Sequence, residues 1–184
     1  MTRIVAGRYG GRRIAAPPGR DTRPTSDRVR EALFGSLGPL DGVRFLDLYA
    51  GSGAIGLEAA SRGAAHVLLV ESDPKAARVA RENVALLGAV RQVTMAVARV
   101  APTLAGGPPG APYDVVFADP PYAVAEEEIA ELLTSLVEHS WLTPEATVVI
   151  ERSRRSPEPA WVPCITGDRS RRYGDTTLWY GRGS

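Results

Sequence analysis

Apolar runs and amphipathic stretches alternate along this chain from residue 43 onward. Short apolar runs predict buried strands over 43–48, 66–71, 91–97, 113–118 and 146–151. Between them, helical spacing predicts helices over 54–62, 74–87 and, more weakly, 99–104. Ile129, Leu132, Leu133, Leu136 and Val137 then form one apolar helix face. Asp73 is a natural N-cap, Pro74 sits at the first helical position and Gly88 follows the end. Upstream, Thr25 or Ser26 caps a helix carrying Val29, Leu33 and Leu37, which Gly38-Pro39 stops. At the ends, two short runs meet at Gly10-Gly11, and residues 161–172 and 176–182 flank Tyr173-Gly174-Asp175, so each end reads as a hairpin. Five strands alternating with helices, then a hairpin, predict an α/β fold with a mostly parallel sheet and an antiparallel edge. The expected organisation is a hairpin arm over 1–20 and one domain over 21–184.

Composition is ordinary for a globular chain, 44% hydrophobic and 23% charged over 184 residues. The first residues lack the apolar core of a signal peptide and no run is long enough for a membrane span, so the expectation is a cytoplasmic protein. Cys164 is the one cysteine, which excludes an intramolecular disulfide and a multi-Cys zinc site; it is expected in the core. His66, His139 and Glu126-Glu127-Glu128 show no metal spacing, and the glutamates suit the start of a helix. The net charge of +1 hides a gradient. Residues 1–30 carry eight Arg against Asp21 and Asp27, and residues 151–184 carry seven Arg against four acids, around an acidic middle. Basic ends suit a polyanion, with Arg3, Arg8, Arg12 and Arg13 of the first hairpin laid on a nucleic-acid backbone.

Asp119-Pro120-Pro121-Tyr122 follows the run 113–118 directly. Two prolines end the strand and stiffen its exit, which holds Asp119 at the carboxyl end of a strand, where open α/β sheets bind ligands. A carboxylate, rigid carbonyls and an aromatic plate can grip a planar base that carries an exocyclic amine.

About seventy residues upstream, Gly51-Ser52-Gly53-Ala54-Ile55-Gly56 forms G-x-G-x-x-G between a strand and a helix, a turn that brings backbone N–H groups up to a ligand. Glu71, twenty residues after Gly51, stands where an acid reaches a ribose diol. Both features also fit a dinucleotide enzyme. Asp47 separates the two readings. A carboxylate beside this turn repels a pyrophosphate but suits a cationic sulfonium and ammonium.

Taken together, D-x-x-x-G-x-G, the strand-end Glu and D-P-P-Y resemble class I S-adenosylmethionine-dependent methyltransferases that act on exocyclic amines. Arg3-Ile4-Val5-Ala6-Gly7 with Gly11-Arg12, the stretch from Arg23-Pro24-Thr25-Ser26-Asp27-Arg28 to Phe34, residues 45–53 and Tyr173-Gly174-Asp175-Thr176 extend the likeness over nearly the whole chain. They resemble the bacterial family that methylates N2 of guanine 966 in 16S ribosomal RNA. The resemblance implies a Rossmann-like sheet of seven strands with S-adenosylmethionine over the first two. It places Gly51, Ser52 and Gly53 at the methionine part with Asp47, Glu71 at the ribose, and Ser72, Asp73 and Ala98 at the adenine. The family often carries a polar residue at Val97-Ala98, which this chain lacks. Asp119 and the Pro120 carbonyl would accept hydrogen bonds from the guanine amine, Pro121 would stiffen the loop, and Tyr122 would stack on the flipped base. Arg23 and Arg28 join the hairpin arginines as RNA contacts. The implied partner is 16S rRNA in the small ribosomal subunit or its assembly intermediate, met by a monomer, with no metal and no membrane. The alternatives are a DNA adenine-N6 methyltransferase with the same D-P-P-Y, and a non-catalytic RNA-binding assembly factor on this fold.

Overall fold

A computed structural model describes residues 2–17 and 26–184. Arg23 and Thr25, assigned above to RNA contact and to a helix cap, lie outside them, as do Pro18 and Gly19. The chain divides into two compact units, Met1–Ala98 and Arg99–Ser184. The first holds β1 (Thr2–Arg3), β2 (Arg13–Ile14), α1 (Asp27–Leu37), β3 (Arg44–Leu48), α2 (Ala54–Ser61), β4 (His66–Glu71), α3 (Pro74–Leu87) and β5 (Val93–Val97). The second holds α4 (Val100–Ala105), β6 (Tyr113–Ala118), α5 (Glu126–Glu138), β7 (Leu142–Ser153), β8 (Ile165–Tyr173) and β9 (Thr176–Gly183). The large sheet has the order β5-β4-β3-β6-β7-β9-β8. Its pairings β3–β4, β4–β5 and β6–β7 are parallel, and β7–β9 and β8–β9 are antiparallel. This is the seven-stranded α/β architecture of class I methyltransferases, with an added N-terminal hairpin.

Local signals act as read at most ends. Ser26 Oγ accepts from Val29 N–H at the start of α1, and Gly38 closes that helix at φ 74°. Asp73 caps α3 through Lys75 N–H, and Gly88 ends it in the left-handed region. In the first unit Phe34 stacks on Phe45 at 6.0 Å between centroids. In the second, Tyr113 stacks on Trp141 at 5.8 Å, and the Trp141 indole donates to Leu104 O at 2.8 Å. Each such buried ring contributes about 1.5–3 kcal/mol through the apolar area it removes from water.

The N-terminal hairpin differs in detail from its sequence pattern. Its strands are two residues each, and residues 4–12 form a wide loop closed by Ile4 N–H to Arg12 O and Gly11 N–H to Ile4 O. The loop is shaped by α2, whose acceptors it uses. Val5 and Ala6 N–H donate to the Glu58 carboxylate at 2.7 and 3.1 Å, and Arg8 and Tyr9 N–H donate to Ser61 O and Oγ at 2.7 and 2.9 Å. Glu58 is fully buried and also pairs with Arg62 at 2.9 Å and with the fully buried Arg30 at 3.8 Å. A buried carboxylate persists only when paired in this way.

β7 begins at Leu142, four residues earlier than its apolar run. Tyr113 pairs with Leu142 and Val115 with Thr147, so extra residues bulge out where Glu145 takes φ 61°. β8 begins at Ile165 rather than at residue 161, because Ile165 N–H closes a turn onto Val162 O after Pro163. Trp161 instead lies over Gly167 and Gly181, where an added Cβ would fall 2.4 and 2.5 Å from the indole. The same turn corrects the expectation for Cys164. It is exposed at φ 75°, since the turn carries its side chain outward.

Candidate active site

In the first unit β3 delivers the chain into Tyr49, at φ 60° a rare conformation for a bulky residue and one that clusters at functional sites. Ala50 N–H donates to Val70 O at 3.0 Å and Gly53 N–H to Ala50 O at 2.8 Å, which fixes the glycine turn against β4. Gly51 at φ 58° is left-handed, and a Cβ there would meet nothing within 4 Å. Open space and a backbone that only glycine adopts without strain make that turn a place for a ligand.

Gly53 offers no side chain to cap α2, and Asp47 does so from β3. Its Oδ2 accepts Gly56 N–H at 2.9 Å. Gly56 must be glycine for this approach, since a Cβ would fall 2.3 Å from Leu69 Cδ2. Burial pushes the Asp47 carboxyl up to about 7, against the Gly56 hydrogen bond, and the neighbouring Glu71 carboxylate pushes it the same way. From the sequence, Asp47 serves the cofactor alone. The structure also gives it a helix to cap.

Glu71 joins the two loops that follow β3 and β4. Its Oε1 accepts Gly51 N–H and its Oε2 accepts Asp73 N–H, both at 2.8 Å. An ionised carboxylate has about four lone-pair directions, so two remain for a diol. Ala98 N–H donates to Glu71 O at 3.1 Å, and Val97, opposite Glu71 in register, is 41% exposed. Gly51, Glu71, Ser72, Asp73 and Ala98 are thus gathered at the carboxyl ends of β3, β4 and β5. Ser52 is buried behind them, its carbonyl held by Asn83 Nδ2 of α3 at 3.0 Å. Asn83 also exchanges two hydrogen bonds with Ala15, at 2.9 Å each. Sequence reasoning missed Asn83, although a lone amide on the Ala76, Ala77, Ala80, Val84, Leu87 face of α3 was a visible signal.

In the second unit β6 ends at Ala118 and Asp119 follows at the strand's carboxyl end. Pro121 O accepts Val124 N–H at 3.0 Å, whereas no described group donates to Pro120 O. Tyr122 projects with 77% of its surface exposed. Arg152 of β7, unnoticed in the sequence, pins the exit of this loop through Val124 O at 3.1 Å and Glu126 Oε1 at 2.8 Å. A half-buried carboxylate, a carbonyl without a described donor and an exposed ring can together hold a planar amine.

The arginines assigned to RNA are exposed, though not equally available. Arg3 pairs with Asp27 at 3.3 Å, Arg12 donates to Leu86 O at 2.7 Å, and Arg8 lies over the Tyr9 ring at 5.7 Å. Arg13 and Arg28 are exposed as well, and Arg23 is outside the described residues. No helix among the described residues is long and apolar enough to cross a membrane.

Residues 2–182 match the family described as conserved hypothetical protein 95. The chain is 39% identical over 153 residues to ribosomal RNA small subunit methyltransferase D of Escherichia coli, covering 81% of this chain and 73% of that one. The solved structure of the Escherichia coli yhhF protein superposes with a TM-score of 0.86 at 33% identity, covering 100% of this chain and 98% of that one. An RNA methyltransferase from Salinibacter ruber, solved with S-adenosyl-L-homocysteine, shares the fold at a TM-score of 0.64 and 21% identity, covering 87% and 93%. On these matches the chain belongs to the conserved hypothetical protein 95 family.

Proposed function

We propose that this protein transfers a methyl group from S-adenosylmethionine to the exocyclic N2 of a guanine in 16S rRNA. The observation that carries the reading is the D-P-P-Y loop at the end of β6, with Tyr122 in solvent, Asp119 half-buried and a Pro120 carbonyl to which no described group donates. The residues of the first unit fit the cofactor. Gly51 leaves room for the methionine part, Glu71 keeps lone pairs for the ribose, and Ser72, Asp73, Ala98 and the exposed Val97 face the adenine. Asp47 lies behind the turn, where a cationic ligand draws its carboxyl back toward ionisation. S-adenosylmethionine supplies an electrophilic methyl group when bound.

The rest is positioning by this chain. An aryl amine is a poor nucleophile because its lone pair is delocalised into the ring. Hydrogen bonds from the amine to Asp119 and Pro120 O favour a pyramidal nitrogen with its lone pair directed at the methyl group. Tyr122 stacks on the base and holds it out of its RNA. Orientation and fixed dipoles carry the rate, and Asp119 or water takes the proton afterwards. The base is in ribosomal RNA because the Escherichia coli relative named for the small subunit aligns over most of this chain. Residues 1–20 serve as an RNA-binding arm to the methyltransferase domain of 21–184, and a cytoplasmic monomer acts on the subunit or its assembly intermediate.

The test is methyl transfer from labelled S-adenosylmethionine to small subunits lacking their own modification, beside free 16S rRNA and duplex DNA. N2-methylguanine in 16S rRNA, absent with Asp119→Ala, is the expected product. Label in DNA adenine sinks the ribosomal reading, and cofactor binding without transfer to any substrate leaves a binding factor.

A further inference from the structure

The arm accounts for the arginines at one end of the sequence and not for those at the other. In the second unit, pairing aligns Arg152 with Thr177 and Thr177 with Arg172, while Ala118 aligns with Ile150. β8 runs in the same direction as β6 and β7, so Arg171 and Arg172 stand at the carboxyl end of the sheet, level with Pro120. The turn after β7 adds Arg154 and Arg155 at that end, and Arg154 N–H donates to Asp175 O at 2.8 Å, which ties this turn to the one joining β8 and β9. All four arginines are exposed, and none takes part in an ion pair among the described residues. Arg152, buried beside them, is committed to Glu126.

Charges on an edge strand also prevent sheet-to-sheet pairing. Asp168 and Arg169 already supply that in the middle of β8. Edge protection does not explain why arginines without acidic partners gather at one end and continue into a turn of another strand. We propose that Arg154, Arg155, Arg171 and Arg172 form a second RNA-binding surface, which holds backbone phosphates of the nucleotides flanking the target base. β8 lies three strand spacings from β6, about 14 Å, a distance that a few nucleotides of backbone cover. Arg171 and Arg172 project to opposite faces of β8, so the grip runs along the rim of the sheet. That geometry suits phosphates, which set position and register, rather than base edges. The inference rests on the RNA reading above.

The test replaces all four arginines by Gln, and separately by Lys, in the full chain. Binding to free 16S rRNA and to unmodified small subunits is followed over a range of salt concentrations. The Gln variant binds both substrates at least about tenfold more weakly at moderate salt, and its log–log salt slope flattens by about 0.7–0.9 for each phosphate no longer neutralised. Its KM rises while kcat and cofactor affinity stay at wild-type values, and the Lys variant recovers binding. Unchanged affinity and slope in the Gln variant overturn the proposal, as does a Lys variant that recovers nothing. Weakening confined to assembled subunits overturns it in favour of a ribosomal-protein contact. If the wild-type protein methylates rRNA and the Gln variant matches it, only this surface is lost. If the wild-type protein neither binds nor methylates rRNA, the reading of the active site falls with it.

Discussion

The side chain of Asn83 donates to the carbonyl of Ser52 at 3.0 Å, and by this one bond α3 holds the middle of the glycine turn. The same amide exchanges hydrogen bonds with Ala15, where the N-terminal hairpin leaves its second strand. One buried side chain therefore orders both the glycine turn and the base of the N-terminal hairpin. Asn83→Ala leaves three backbone groups without partners, each costing about 1–3 kcal/mol if it stays buried. The expected result is a clear fall in the urea midpoint together with weaker S-adenosylmethionine binding in calorimetric titration. Wild-type values in both measurements would show that water replaces the amide at no cost.

Asp47 gives the protein a pH dependence of definite sign. Its carboxyl is raised from 3.8 to about 7 on folding, so the folded state holds the proton more tightly than the unfolded state does. The associated stability is full below about pH 4, is lost as pH rises toward 7, and changes little above that; the loss is of order a few kcal/mol. Asp47→Asn keeps an acceptor for Gly56 N–H and does not titrate. Urea midpoints of the two proteins between pH 4 and 8 shift in favour of the Asn variant as pH rises, then level off near pH 7. Parallel curves across that range refute the buried titration.

Tyr122 is exposed enough that its removal leaves the fold alone. Tyr122→Phe keeps the flat face and retains activity, whereas Tyr122→Ala loses a base stack worth about 1–3 kcal/mol, or roughly 5- to 150-fold in kcat/KM on rRNA. Both variants melt within about 1 °C of wild type, as surface changes away from packing do. Undiminished kcat/KM in the Ala variant would remove Tyr122 from the base site.

Gly7 and Gly11 separate packing from backbone strain in the hairpin. Both have positive φ, 84° and 83°, but a Cβ at Gly7 falls 2.1 Å from Ser61 O, and one at Gly11 meets nothing within 4 Å. Gly11→Ala costs about 1–2 kcal/mol, the penalty of a left-handed L-residue. Gly7→Ala costs that and the added clash, about 1–3 kcal/mol more. Equal urea midpoints for the two variants would mean that the loop is not seated on α2.

The D-P-P-Y loop was legible because prolines act on their immediate neighbours, and the strands β3 to β7 because each contains a short apolar run between breakers. The start of β7 was not, since Leu142 pairs with Tyr113 and the ladder resumes only at Thr147, across a bulge that no apolar pattern marks. Cys164 looked like core by residue type and lies outside because one turn after Pro163 sets its direction. Arg152 read as one more surface charge, yet Glu126 and Val124 O make it the clamp on the loop after Tyr122.

By itself the sequence determined the alternation of strand and helix, the caps of α1 and α3, and the chemistry placed at the exits of β3, β4 and β6. Each of these depends on residues a few positions apart, whose sterics and hydrogen bonds act before any tertiary contact forms. Only the tertiary structure decided how the buried polar groups answer one another: Asp47 with Gly56, Asn83 with Ser52 and Ala15, and Glu58 with Val5 and Ala6. A buried polar group must find a partner or lose the energy of its hydration. Composition announces that need, and the topology of the chain chooses the partner.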